Sequence, residues 1–304
     1  MQCDILCVGI STLDRVWLVD SLPTGGGKFR AHDYLELGGG MAANAAVAAA
    51  RLGGRVAYWG RNGDDSAGRT MRDELAGWGV DVAQFRLYAG HRSSVSAIFV
   101  GRDGERTIVN YRDESMPTDA AWLPAERAAG CHAVHGDVRW PEGVAPAYRA
   151  ARAAGVPTVL DGEIAAPEVF ATLLPLTDHA IFSEPGLASF AGRPIASDAD
   201  RLAALAAVRA QGCRVAAVTR GTQGVLWLDE HGEHHLPAYT VAVVDTTGAG
   251  DVFHGAYALA IGEGQSVEAA MRFSSAVAAM KCAVKGGRAG IPTRVEVDGF
   301  LANG

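Results

Sequence analysis

The chain has 304 residues, 49% hydrophobic and 20% charged, with a formal net charge of -7; it is long enough for one large core or two ordinary ones, and a mildly acidic chain with no dense Lys/Arg run offers no grip on nucleic acid. No apolar stretch is long enough to span a bilayer without charge or Gly, and the start, MQCDILCVGI, lacks the basic segment of a signal peptide. The five cysteines form no CxxC, so neither zinc nor a disulfide framework is expected in what reads as a reduced, cytoplasmic protein.

In chain order, DILCVGI (4–10) reads as a buried strand with Cys3 and Cys7 on one face. Residues 12–37 alternate polar and apolar, as paired strands do. A triple Gly then opens an Ala-rich helix at about 41–52. The strand RVAYWG (55–60) and a helix at 64–78 follow. Residues 91–112 again look like a hairpin, RSSVSAIFV and RTIVNY, turning at Asp103-Gly104. Strands HAVHGD (132–137), VPTVLD (156–161), HAIFS (179–183) and RVAAVTR (214–220) then alternate with helices at 141–154 and 198–211. LDEHGEHHLP reads as a polar hairpin whose His231, His234 and His235 lack the partner set of a metal site. The tail GFLANG is expected to fray.

Strand–helix alternation predicts a doubly wound, mostly parallel α/β sheet covered on both faces, in one domain over 1–304. Such sheets bind ligands at the carboxyl ends of their strands. The two β excursions, at about 12–37 and 91–112, predict a small β-sheet lid over that site. Only three of the 27 basic residues are lysines, Lys28, Lys281 and Lys285, and in so Arg-biased a chain each is a candidate for a position that Arg would not serve.

The strongest chemical signal is VVDTTGAGDVFHGAYALAI (243–261). An apolar run ends at Asp245, a Gly-Ala-Gly turn follows, and a helical stretch begins. Gly248, Ala249 and Gly250 leave the backbone N–H groups of 248–251 open at a helix N-terminus, an anion site suited to a phosphate in transfer. Asp251, in the first turn, either caps the helix or takes a proton from an accepting hydroxyl while the amides hold the phosphoryl group. A second signal is LGGGMAANAAVAAARLGGRVAYWGRNGDDSAG (37–68). Gly38, Gly39 and Gly40 permit close approach of backbone to ligand, and Asn44, on the first turns of the helix, can hydrogen-bond a hydroxyl.

Together these segments resemble the two signature regions of the PfkB/ribokinase family of carbohydrate kinases, in an order and separation that cover nearly the whole chain. The resemblance implies an ATP-dependent sugar kinase with Asp251 as base and Gly248, Ala249 and Gly250 as anion hole. It implies that Asp14, in GISTLDR, and Asn44 bind sugar hydroxyls beside Gly39 and Gly40. TRGTQG (219–224) looks like the family's nucleotide-binding turn, giving Thr219, Gly221 and Gly224, with Lys281 in the adjacent 280s region. Asp245 and Thr247 match positions that hold a monovalent cation such as K+ in many members, and Mg2+ would arrive with ATP. One departure is Ser183-Glu184-Pro185-Gly186 in place of the family's Asn-x-x-Glu; Glu184 could still contribute to metal positioning.

Further local features, LPTGGGKFRAHDY, IVNYRD, GDVRWPEG, VLDGEI, TDHAIFSEPGLA and KGGRAGIP, resemble the 6-deoxy-6-sulfofructose kinases within that family. By that resemblance Lys28, Asn110 and Arg139 would surround the sulfonate, a permanent monoanion that wants a fixed cation and neutral donors. Alone, Lys28 reads equally as a solvated loop residue and Arg139 as a surface ion pair. Asn44 is more typical of general ribokinase-like enzymes, so a neutral ketose or sugar acid stays open as the acceptor. A non-catalytic sugar-binding regulator would not need Asp251, and a dinucleotide oxidoreductase would want GxGxxG where this chain has ISTLDR. The lid's edges and apolar faces predict a homodimer.

Overall fold

The computed structural model describes residues 3–102 and 105–303; the expected turn at Asp103-Gly104 lies outside the described residues. β1 (Ile5–Val8) is buried throughout, after which β2 (Thr12–Val19) and β3 (Ala31–Gly39) leave the main sheet as an antiparallel pair. α1 (Met41–Arg51), β4 (Val56–Gly63), α2 (Ser66–Gly77) and β5 (Asp81–Tyr88) return to it. β6 (Val95–Val100) and β7 (Arg106–Tyr111) form the second excursion. The chain continues through β8 (Ala133–Asp137), α3 (Pro141–Ala153), β9 (Thr158–Gly162), α4 (Pro167–Leu173), β10 (His179–Ser183), α5 (Glu184–Ala191) and α6 (Asp198–Arg209). It ends with β11 (Val215–Thr219), β12 (Val225–Asp229), β13 (Gly232–Leu236), α7 (Ala249–Gly262), α8 (Val267–Cys282) and α9 (Arg294–Asn303).

The main sheet has nine strands in the order β13-β12-β11-β10-β9-β8-β1-β4-β5, parallel from β11 to β5, with β12 and β13 added as a hairpin. Its central strands are continuous apolar runs because both faces are covered. Ile5 and Cys7 pack with α1, α7 and α8, whereas Leu6 and Val8 pack with α3, α4 and α6 on the other face. Chain order reverses between β1 and β8, which opens a crevice at the carboxyl ends of those strands.

The second sheet has four strands, β3-β2-β6-β7. Its register places Leu37, Asp14, Ser96 and Asn110 in one cross-strand row, so their side chains share a face. On the opposite face Trp17 stacks on Phe99 and packs at a tilt against Tyr34, with ring centroids 5.5 and 5.2 Å away.

Two expectations are corrected. β1 starts at Ile5, so Cys3 does not share its face with Cys7; it is joined to Cys131 in a disulfide, Cα atoms 5.1 Å apart. The cause is register: Ile5 pairs with Ala133, and each cysteine lies two residues before its strand partner. No local spacing marks a bridge between residues 128 apart. Residues 299–303 of the tail do not fray as expected, because α9 carries Phe300 and Leu301 onto the core, with Phe300 edge-on to Tyr239. Among the described residues no helix is long and apolar enough to cross a membrane, and no His/Cys/Asp/Glu cluster could hold a metal.

Candidate active site

Asp137 ends β8 inside the crevice. It is fully buried, and burial pushes its carboxyl up; N–H donors at Ile10 (2.8 Å), Arg139 (2.8 Å) and Ala42 (3.1 Å) oppose that shift. Since α1 has Gly40 at its N-cap and no capping side chain of its own, this distant carboxylate satisfies the helix instead. The triple glycine follows from crowding at the same place. A Cβ on Gly38 would overlap the Arg288 guanidinium, and one on Gly39 would overlap the Asp14 carboxylate.

α1 and α7 cross in backbone contact, since a Cβ on Gly255 would overlap the Ala45 carbonyl. That crossing sets Asn44 against Asp251: Asn44 Nδ2 donates to Asp251 Oδ2 at 2.7 Å. Asp251 therefore does not cap its own helix. Burial pushes its carboxyl up, which favours proton uptake, while the Asn44 amide holds it down and fixes its orientation. Gly248, at φ 72°, turns the chain into α7 beside both side chains. Ala249 sends its N–H back to Thr246 O (3.2 Å), so the open amides are those of Gly248, Gly250 and Asp251 rather than all four.

Sequence reasoning missed Arg288, which stood there only within the KGGRAGIP resemblance. Its side chain is buried and donates from Nε to Asn44 Oδ1 (2.8 Å) and from Nη2 to Gly39 O (3.1 Å), with Nη1 3.3 Å from Glu74 Oε1. A chain Arg288–Asn44–Asp251 thus runs through the site. The available signal was a single Arg inside a Gly-rich loop. Asp14, half-buried against Gly39, has its carboxyl pushed up to about 6 by burial, against the Ser96 hydroxyl and Arg288, which lower it. Beneath the anion hole, His254 contacts Gly250 O through Nδ1 (2.7 Å) and Ile181 O through Nε2 (3.1 Å), with buried Asp161 at 3.5 Å.

The three residues expected around a sulfonate are not in mutual contact. Lys28 is exposed in the β2–β3 connection, and Asn110 is exposed on β7 in the row of Asp14. Arg139 donates from Nη1 to Ile164 O (2.7 Å) and buries an Nε with no partner. Its neighbour Arg112 was not singled out in the sequence; burial, then the Arg139 charge, push the Arg112 guanidinium down.

The nucleotide residues divide. Thr219 ends β11, and Gly221 (φ 54°) and Gly224 (φ 81°) form the turn that follows, anchored through Arg220 to Asp198 at 2.8 Å. Exposed Val243, Val244 and Val284 lie nearby in sequence to Asp245 and the 280s loop, joined by Val244 N to Cys282 O (2.8 Å). Glu184 and Lys281 each have a charged partner of their own. Glu184 is ion-paired to Arg201, and Lys281 is fully buried on Asp245. Ser183 caps α5 through Gly186 N (3.0 Å), and Gly186 admits no side chain because a Cβ would strike Gly162 O. The family's glutamate therefore has no room at 186, where the main chain of Gly162 and Glu163 fills the space. A cavity of about 480 Å³ lined by Arg152, Asp178, His179 and Arg214 opens at the opposite, amino-terminal edge of the strands, away from this chemistry.

Residues 2–294 match the pfkB family carbohydrate kinases. The chain is 30% identical to the ribokinase of Bacillus subtilis over 302 residues, covering 98% of this chain and 99% of that one. It is 29% identical to the ribokinase of Haemophilus influenzae, with 99% of each covered. Its structure is similar to that of a provisionally assigned ribokinase from Agrobacterium tumefaciens, at TM-score 0.92 and 37% identity over 98% of this chain and 97% of that one. It is similar also to Arabidopsis thaliana ribokinase solved with ribose and ATP, at TM-score 0.87 and 26% identity over 99% of both.

A doubly wound body, a β lid and a carboxylate beside open amides at a helix N-terminus define a ribokinase-like sugar kinase. The chain belongs to the pfkB family of carbohydrate kinases, and it is an ATP-dependent phosphotransferase with a carbohydrate alcohol as acceptor.

Proposed function

We propose that this kinase phosphorylates the 1-hydroxyl of 6-deoxy-6-sulfofructose. Asp251 takes the hydroxyl proton, the oxygen attacks the γ-phosphorus of ATP, and the bond to the β-phosphate oxygen breaks to release ADP. The open amides of Gly248, Gly250 and Asp251 face the charge that develops on the transferring group. Asn44, held by Arg288, orients the base, while Asp14 and the Gly39–Gly40 backbone receive sugar hydroxyls. Thr219, Gly221 and Gly224 would border the nucleotide, with Val243, Val244 and Val284 as apolar wall for the base. Magnesium would supply charge neutralisation on the phosphates, and Gly186 offers its water shell no carboxylate.

The observation that carries the substrate is the Arg112–Arg139 pair. Arg139 follows β8 at its carboxyl end, and its guanidinium and that of Arg112 feel each other's charge, with buried Asp137 as the carboxylate that acts on both. A fixed anion on the substrate would add to that countercharge. Asn110 on the Asp14 face of the lid and unpaired Lys28 are the remaining candidates for the sulfonate. With carbon 6 held there, the 1-hydroxyl is the end left for Asp251.

The similarity to ribokinases favours a second reading, a neutral pentose or hexose acceptor. The test is kcat/KM over sulfofructose, fructose, fructose 6-phosphate, ribose and 2-keto-3-deoxygluconate. Sulfofructose is expected to lead; a lead for ribose or fructose of about tenfold or more, the discrimination worth one modest contact, removes the sulfonate pocket. The aromatic lid face, with Tyr34 and Tyr111 exposed, is proposed to pack on the lid of a second copy.

A further inference from the structure

Lys281 is an anomaly in an otherwise explained site. It stands at the end of α8 with a fully buried side chain. Its ammonium donates to the main-chain oxygen of Asp245 at 2.8 Å and lies 3.7 Å from the carboxylate of the same residue. Asp245 in turn joins two loops. Its Oδ1 accepts from Thr247 N (2.9 Å), on the way into the anion hole. Its Oδ2 accepts from Gly286 N (3.1 Å) and Gly287 N (3.3 Å), on the loop that delivers Arg288. The main chain adds Asp245 N to Cys282 O at 3.1 Å. One carboxylate therefore fixes both the donor amides and the arginine that orients Asn44.

The resemblance to the family implies a monovalent cation at Asp245 and Thr247. The residues present do not fit one. A potassium ion needs a cage of oxygens, but here three N–H donors occupy the carboxylate, and a positive charge already stands beside it. A second cation there would meet the ammonium as a like charge in a poorly solvated place. We propose that the Lys281 ammonium is a tethered monovalent cation that holds Asp245 and its two loops in place, so that this kinase works without potassium. The proposal rests on the kinase reading but not on the identity of the sugar.

The residue type fits the task. An ammonium is a compact sphere of charge, whereas a guanidinium is a flat fork too wide for the same hole. Tethering also removes the cost of recruiting an ion from solution. That explains a lysine here in a chain whose other basic residues are nearly all Arg. Lys281 touches neither sugar nor nucleotide in this account; it is a positioning residue.

The first measurement needs no variant. Sugar-dependent ADP release is followed while potassium is replaced by a bulky organic cation at constant ionic strength. The expected rate changes by less than about twofold, since nothing in the transfer site depends on the ion; activation by about tenfold or more overturns the proposal. The second uses Lys281→Met, which keeps length and removes charge. Its kcat is expected to fall about a hundredfold with little change in sugar KM, because a half-buried carboxylate that ties two loops loses its charged partner. Potassium or ammonium, but not the bulky cation, should then restore a large part of it. Full activity of Lys281→Met without potassium also overturns the proposal. Thermal melting gives a readout free of turnover: potassium should raise the Tm of Lys281→Met and leave that of the unaltered protein unchanged. An equal potassium shift in both proteins rules the tether out. Absence of any sugar-dependent ADP release, with the melting behaviour as expected, would remove the kinase reading and leave the tethered cation standing.

Discussion

The inner group of Asn44, Asp251 and Arg288 and the outer group of Lys28, Asn110, Arg112 and Arg139 handle charge in opposite ways. Inside, Asn44 is bonded on both sides of its amide, and Arg288 spans α1, the end of β3 and α2, its buried Nη1 near Glu74 but without a hydrogen bond. Outside, Arg112 and Arg139 feel each other's charge, and Lys28 and Asn110 are exposed. Asn44 and Asp251 are thus held in place before any ligand arrives, which is what electrostatic preorganisation requires. The outer side chains are not tied to one another. On the proposed reading, chemistry is built into rigid elements and selectivity is left to groups that an anionic substrate would engage.

The sharpest way to break that contrast is Asp251→Asn. Loss of the base should lower kcat by about a thousandfold or more while ATP affinity holds, and steady-state kinetics showing a near-normal kcat would end the assignment. Arg288→Met comes next. It strands Asn44 Oδ1, Gly39 O and Glu74, so kcat should drop about a hundredfold and stability by about 3 kcal/mol, read by urea titration. An unaltered Tm and kcat would show that the inner group is not a unit. Arg139→Ala should lower kcat/KM for the anionic sugar by about thirtyfold or more, with neutral sugars and ATP KM unaffected; equal losses on fructose would move Arg139 into the inner group.

A smaller effect follows from Asp14. Its carboxyl, raised to about 6, must ionise to accept from sugar hydroxyls, so kcat/KM should climb with pH through about 6 and level off above it. Asp14→Asn should abolish that limb. The linked stability runs the other way: the folded state holds this proton more tightly than the unfolded chain, so stability from this group declines as pH rises from the ordinary carboxylate range to about 6. The smallest expected effect on turnover is that of Tyr111→Glu on the outer lid face. Light scattering should show a dimer falling apart while activity changes by less than about threefold; a monomeric unaltered protein would remove the lid interface.

Much of the architecture was legible because it is local. Runs such as ILCV, AVHGD and TVLDG name buried strands, and the Ala-rich stretch after the triple glycine names a helix. Asp251 and Asn44 were legible as residues, but their bond was not, since it depends on where α1 and α7 cross. The same holds for the reach of Arg288, the cap that Asp137 gives to α1 and the Cys3–Cys131 bridge. Each joins segments far apart in sequence through register or packing, and no spacing rule along the chain encodes it. The partners of Lys281 and Glu184 were illegible for the same reason: Asp245 and Arg201, the countercharges they meet, lie far off in sequence.

The backbone contact between Gly255 and Ala45 has a consequence for how such an enzyme changes over time. Side chains at an interface yield by switching rotamer, but two main chains in contact have nothing to yield. The spacing between Asp251 and Asn44 is therefore insulated from drift on the outer surfaces of both helices. On the proposed roles, the second-sheet strands, the loop bearing Lys28 and the end of β8 could be exchanged to suit a new acceptor without retuning the transfer step. A single methyl group at position 255, one helical turn beyond Asp251, would wedge the two helices apart and undo what those exchanges leave intact.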